Sequence, residues 1–212
     1  MQTPVGRPEK PPEKPELYAI AYITTVGRMS TTTQTIWVRR PTAAPAGEVS
    51  APTFRLERPL AGLTIGLRTD RAWRSWQLIA SVWDEYLQRD GAQTISVETG
   101  AQIGQPASTD RKQIDELAEQ VDAAIVGLGT CGSCTTFTIK DSVAVEEHEK
   151  PVVAIVCEEF TVHAHNVARH VGHGDLSVLV LPYPLEARPT EELQQIARDY
   201  YPKVLELLGV TS

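Results

Sequence analysis

The chain reads as an α/β protein: a five-stranded, parallel, doubly wound sheet of flavodoxin-like type, order 2-1-3-4-5, with an N-terminal hairpin arm. Three observations predict it. From Leu63 onward, short apolar runs alternate with longer stretches of helical spacing. Each of the five runs is followed by a helix, which implies a parallel sheet covered on both faces. Crossovers between parallel strands are right-handed, and the order 2-1-3-4-5 then puts the topological switch between the first and third strands.

The elements follow in order. Met1 to Glu16 holds five prolines among Glu, Lys and Arg and reads as a disordered tail, too charged for a signal peptide. Residues 17–59 form an arm and linker. Leu17 to Val26 and Thr32 to Val38, rich in Tyr, Ile, Thr and Val, predict a hairpin around Gly27-Arg28-Met29-Ser30. Pro41 to Pro59, with four prolines, is a linker laid over the surface. Residues 60–212 form the α/β domain. Its first strand is Leu63 to Leu67, and a helix over Ser75 to Arg89 presents Trp76, Ile79, Ala80, Trp83 and Leu87 on one face. Thr94 to Val97 is the second strand, and Asp110 to Gln120 a helix. Ala123 to Val126 is the third strand, followed by a helix over Thr135 to Glu147 of imperfect apolar spacing. Pro151 to Val156 is the fourth strand, with a helix from about Val162 to Val171. Leu176 to Leu181 is the fifth strand. Thr190 to Leu208 closes the chain as an amphipathic helix, with Thr190 its expected N-cap.

Composition bounds the function. With 212 residues and 42% hydrophobic content the chain can bury a full core, and a net charge of -7 argues against nucleic acid and anionic membranes. No apolar run approaches the roughly 20 residues that span a bilayer. Three cysteines do not make a disulfide framework, so a cytoplasmic, reducing setting is expected.

The chemistry concentrates in Gly127-Leu128-Gly129-Thr130-Cys131-Gly132-Ser133-Cys134-Thr135. Gly127 and Gly129 break the third strand, through positive φ or close approach of another backbone. Cys131 and Cys134 then fall in the turn that opens a helix, where orphan N–H groups and the helix dipole stabilise a thiolate. The turn ends the third strand beside the switch point, where such sheets keep their ligands. Cys131 is the candidate nucleophile and Cys134 its partner. Gly132, Ser133 and Thr135 are placed to meet the substrate through the helix N-terminus. Arg68, Asp70 and Trp73, in the turn after the first strand, are substrate-binding candidates, since a guanidinium fork matches a carboxylate. Glu158 and His163 follow the fourth strand, and His163 or His165 could serve as proton donor or thiol activator. Pro182-Tyr183-Pro184-Leu185 is a rigid turn shaping one wall. Cys157, in the run Val152 to Val156, reads as a core residue inside a strand. His163, His165, His170 and His173 raise a metal hypothesis, but their spacing lacks the i, i+4 geometry of a helical zinc pair, and no metal is expected. Gly127-x-Gly129 lacks the rest of the dinucleotide pattern, and no cofactor is expected.

With these residues the chain resembles the UGSC-type (seleno)protein family in its cysteine form, named for selenocysteine-Gly-Ser-Cys. The likeness spans roughly Val38 to Leu208. It takes in Arg40-Pro41-Thr42, Pro59-Leu60-Ala61-Gly62-Leu63-Thr64-Ile65-Gly66-Leu67, Lys150-Pro151-Val152-Val153, Cys157-Glu158-Glu159-Phe160 and Leu181-Pro182-Tyr183-Pro184-Leu185. More distantly the same segments are similar to the selenoprotein subunit of component B of the glycine, sarcosine and betaine reductases. In that subunit a selenolate takes part in reductive carbon–nitrogen cleavage. The resemblance puts Cys131 at the selenocysteine position and Cys134 at the cysteine three residues on. It departs at Phe137, where the reductase subunit has a further cysteine, and this chain lacks the pyruvoyl-bearing partner.

The expected function is a thiol-dependent enzyme, an oxidoreductase or a lyase or hydrolase. Cys131 attacks a small, anionic substrate and cleaves or reduces a carbon–heteroatom bond. The alternative is a subunit of a hetero-oligomeric enzyme whose site a partner chain completes. A homo- or hetero-oligomer joined through the N-terminal arm is expected in either case. A two-cysteine racemase ranks last, because it needs opposed thiols and Cys157 reads as mid-strand.

Overall fold

The computed structural model describes residues 17–22, 34–39, 50–99 and 105–211. The tail, the hairpin turn at Gly27 to Ser30 and most of the linker lie outside the described residues. The chain divides into two units, Met1–Pro45 and Ala46–Ser212. In the first, β1 (Leu17–Tyr22) pairs antiparallel with β2 (Gln34–Arg39), Leu17 opposite Arg39 and Tyr22 opposite Gln34. The expected hairpin pairing is present.

The second unit carries β3 (Thr64–Asp70), α1 (Arg74–Arg89), β4 (Gln93–Thr99), α2 (Gln105–Gln120), β5 (Ala123–Gly129), α3 (Gly132–Glu146), β6 (Val152–Cys157), α4 (Thr161–His170), β7 (Val178–Leu181) and α5 (Thr190–Leu208). The sheet order is β4-β3-β5-β6-β7, all parallel, which is 2-1-3-4-5 counted within the domain. β5 and β6 are buried at every position, as central strands covered on both faces must be. One face packs against α1 and α5 through Trp76, Ile79, Trp83, Leu193, Val204 and Leu208. The other packs against α2, α3 and α4 through Ile114, Ile139, Val143, Ala144, Ala164 and Ala168.

The departures from expectation have physical reasons. β5 runs through both glycines to Gly129 instead of stopping at Val126, and neither glycine has positive φ. Their role is close approach. A Cβ on Gly127 would lie 2.6 Å from the Trp76 ring, and one on Gly129 3.0 Å from Thr135 Oγ1. α2 begins at Gln105, before its apolar repeat, with Pro106 tolerated in the first turn. α3 begins at Gly132, three residues before the expected start. Its spacing is imperfect because the helix is buried almost all round, with Thr138, Asp141, Ser142 and Glu146 buried as well as its apolar residues. Thr190 is the first helical residue of α5 and not its cap: Pro189 holds the N-cap position, and Thr190 Oγ1 accepts from Arg74 Nη2 at 2.7 Å. The described end of the linker does lie on the surface, Leu56 N–H donating to Leu208 O and Glu57 N–H to Gly209 O.

Candidate functional site

β5 and α3 meet at the carboxyl edge of the sheet, and Cys131 is the N-cap of α3, its backbone extended at φ -151° and ψ 171°. The Cys131 sulfur accepts the Cys134 N–H at 3.1 Å and lies 3.4 Å from Ser133 Oγ. Cys131 and Cys134 are joined as a disulfide, their Cα atoms 5.2 Å apart. The Cys131 carbonyl accepts both Thr135 N–H (2.9 Å) and Thr135 Oγ1–H (2.7 Å), so buried Thr135 anchors the turn from inside. Gly129 makes this anchoring possible by leaving room for Thr135. Gly132 and Ser133 are exposed and the two cysteines half-buried, so the sulfurs sit at the surface of the sheet's end.

His163 reaches this turn from α4. Its Nε2 lies 3.0 Å from Gly132 O and 3.0 Å from Thr136 Oγ1, and Thr136 Oγ1–H donates to Gly132 O at 3.0 Å. The imidazole thus clamps the backbone that carries the sulfurs. His165 is exposed, and Glu158, also exposed, spends its carbonyl on Thr161 Oγ1–H. Phe160 and Tyr183 meet edge to face at 5.9 Å, which joins the turn after β7 to the start of α4.

The turn expected after Leu67 is built differently: β3 runs on to Asp70, so Arg68 and Asp70 belong to the strand and not to the turn. Arg68, expected to grip an anionic substrate, is 1% exposed. Its Nη1 donates to Gly127 O at 2.6 Å and its Nε lies 3.0 Å from Asp141 Oδ2 on α3. Asp70, also buried, is 3.9 Å from Arg68 and accepts the Ala72 N–H at 2.8 Å. Trp73 precedes α1 and packs half-buried on the core. These side chains tie β3, β5, α1 and α3 to one another. Asp141 was invisible as a partner in the sequence, because it lies mid-helix with no charged residue three or four positions away on either side to announce it.

Cys157 is a core residue as expected, fully buried, but it closes β6 and does not sit mid-strand. Burial pushes its thiol above the usual range, and a hydrogen bond with the Thr130 side chain opposes that in part. It therefore lies beside the end of β5, next to the cysteine turn. His173 is far from that turn, paired with Glu146 at the opposite end of α3. Among the described residues no group of three His, Cys, Asp or Glu side chains comes together as a metal would require, and no helix is long and apolar enough to cross a membrane.

The model of the UGSC family matches residues 37–210. The chain belongs to the UGSC family. No curated protein matches it closely enough to serve as a relative. The matched span covers the whole sheet and the Cys131–Cys134 turn, so the UGSC resemblance read from the motif holds for the domain.

Proposed function

We propose that the protein is a thiol-dependent enzyme in which Cys131 is the nucleophile and Cys134 the resolving thiol. One observation carries this reading: the Cys131 sulfur caps the helix, accepting an N–H at 3.1 Å, within bonding reach of the Cys134 sulfur. A thiolate in that position is stabilised by the helix N-terminus. In the reduced state Cys131 attacks the carbon of a carbon–heteroatom bond; the S–C bond forms, and the heteroatom leaves with its electron pair and takes up a proton. The Cys134 thiolate then attacks the Cys131 sulfur; the S–S bond forms and the carbon leaves with its pair and takes up a second proton. The two thiols supply both electrons, and an external dithiol, as a cytoplasmic setting provides, restores them. The N–H groups of Gly132 and Ser133 face developing negative charge, which suits a small anionic substrate better than sealed Arg68 does.

The test is alkylation of the dithiol-reduced protein by iodoacetate, resolved by peptide mass spectrometry. Cys131 reacts first, and Cys134 more slowly. Cys131→Ser keeps the fold and loses turnover with whichever substrate is found. Alkylation of Cys131 no faster than of Cys157, or full activity in Cys131→Ser, overturns the reading.

A second reading is a subunit that a partner chain completes. It draws on the hairpin, which groups with the first 45 residues as a unit of its own. Light scattering after size exclusion, with co-purification from the native host, separates the two: a competent homo-oligomer removes the partner.

A further inference from the structure

A second polar site lies at the other end of α3, away from the sulfurs. Glu146, on the last turn of the helix, is 4% exposed, and His173, after α4, is 9% exposed. Their contact, His173 Nδ1 to Glu146 Oε2, is 2.6 Å. Burying a carboxylate is costly unless it is paired, and a core position there would more cheaply hold an apolar side chain. The desolvation is evident in Glu146, whose carboxyl is pushed above its ordinary range while the imidazole opposes the shift. The dyad is also fixed from behind: His173 N–H donates to Ala168 O at 2.9 Å, and Leu176 N–H donates to His173 O at 3.1 Å.

The dyad does not face a packed interior. It lines an open pocket of about 290 Å³, which Ala51, Pro52 and Phe54 border on another side. That side is held by Ala51 N–H donating to Gly172 O (2.8 Å) and Asp175 N–H donating to Ser50 Oγ (3.1 Å). With Nδ1–H turned to Glu146, the ring keeps its lone pair on Nε2, which has no hydrogen-bond partner among the described residues. A carboxylate bonded to Nδ1 in this way fixes the orientation of the ring. The rest of the lining sets the ligand chemistry. Pro52 and Phe54 give an apolar wall, Glu147 and Glu149 add carboxylates, and neither lysine nor arginine contributes. Of these acids Glu147 is already met by Arg111 at 2.8 Å, which leaves Glu149 for an incoming charge.

We propose that this pocket is a second ligand site, which takes a small organic ammonium. An N–H of the ammonium donates to His173 Nε2, its charge is met by Glu149, and its apolar part lies on Pro52 and Phe54. The site is independent of Cys131 and involves no bond-making step.

The experiment uses the full chain with isotope-labelled histidine and benzylammonium chloride as probe. The His173 ring signals, assigned by their loss in His173→Gln, shift saturably on titration. Benzoate, the same ring with opposite charge, produces no such shift. Glu149→Gln weakens binding about tenfold, the size of one charge-assisted contact. Ala51→Trp, which plugs the pocket and leaves the dyad intact, removes the response even if His173→Gln fails to fold. A response to benzylammonium that does not saturate, that benzoate matches, or that survives Ala51→Trp overturns the proposal.

Discussion

The two strand-to-helix turns at the carboxyl edge of the sheet make opposite use of their polar residues. The end of β3 and its junction with α1 are the more charged in sequence, with Arg68, Asp70, Arg71 and Arg74, yet these charges are spent inside the protein or on neighbouring side chains. Arg68 is sealed against Asp141 and Gly127 O, Arg71 pairs with Glu98 at 2.6 Å, and Arg74 is bonded to Thr190. The turn after β5 carries no charged residue, and its exposed groups are two glycine and serine positions flanked by sulfurs. Charge along this stretch is thus a poor guide to what faces solvent unpaired. A polar group whose partners are all internal is part of the frame, while the sulfur that caps α3 stays at the surface.

The largest expected effect tests the frame. Arg68→Met leaves Asp141 and Asp70 buried without their cation, and breaking such a buried pair costs about 3–5 kcal/mol. Urea unfolding measures it, and Asp141→Asn in the same background should recover a good part. A loss as small as that of a surface ion pair, below about 1 kcal/mol, would dissolve the contrast between the turns. Next in size is Gly127→Ala. The added methyl meets the Trp76 ring, itself fully buried and bonded through Nε1–H to Arg68 O at 3.2 Å, so the ring has nowhere to go. Overpacking of this kind costs about 1–3 kcal/mol, read from the same unfolding curves.

A smaller stability effect should carry a larger functional one at the β5 turn. His163→Ala removes the clamp on Gly132 O and Thr136 Oγ1, a loss of about 0.5–1.5 kcal/mol per hydrogen bond. The rate of Cys131 alkylation in the reduced protein should fall with it, while Cys157 is unaffected. Stability lost with no change in that rate would make His163 a packing residue only.

What the sequence showed and hid follows the same division. The sheet order was legible because buried parallel strands leave near-continuous apolar runs and connection rules prune the topologies; Val152 to Val156 and Ala123 to Val126 stand out at once. The cysteine turn was legible because a thiol pair after a strand is chemically unusual. Hidden were the contacts made across elements. Nothing near Arg68 in the chain announces Asp141, 73 positions on (141 − 68), and nothing near Glu146 announces His173. The start of α3 was hidden for a related reason: Gly132, Ser133 and Thr135 are weak helix formers, and the cap that starts the helix is a sulfur, absent from the usual Ser, Thr, Asp and Asn signals.

The third cysteine sharpens the comparison from the other side. Cys157 ends β6 as Cys131 follows the end of β5, but one sulfur is sealed and the other faces the surface. Because burial raises the Cys157 thiol above its ordinary value, the folded state holds that proton more tightly than the unfolded chain does. Its contribution to stability is therefore complete below the ordinary thiol range, near 9.0, and is lost as pH rises from there toward the raised folded value. Cys157→Ala should flatten this alkaline slope in unfolding measurements on the reduced protein, at the modest cost of a small cavity. If the slope is unchanged in Cys157→Ala and disappears in Cys131→Ser, the positions of the two thiols have been assigned the wrong way round: the half-buried one would titrate as a buried group.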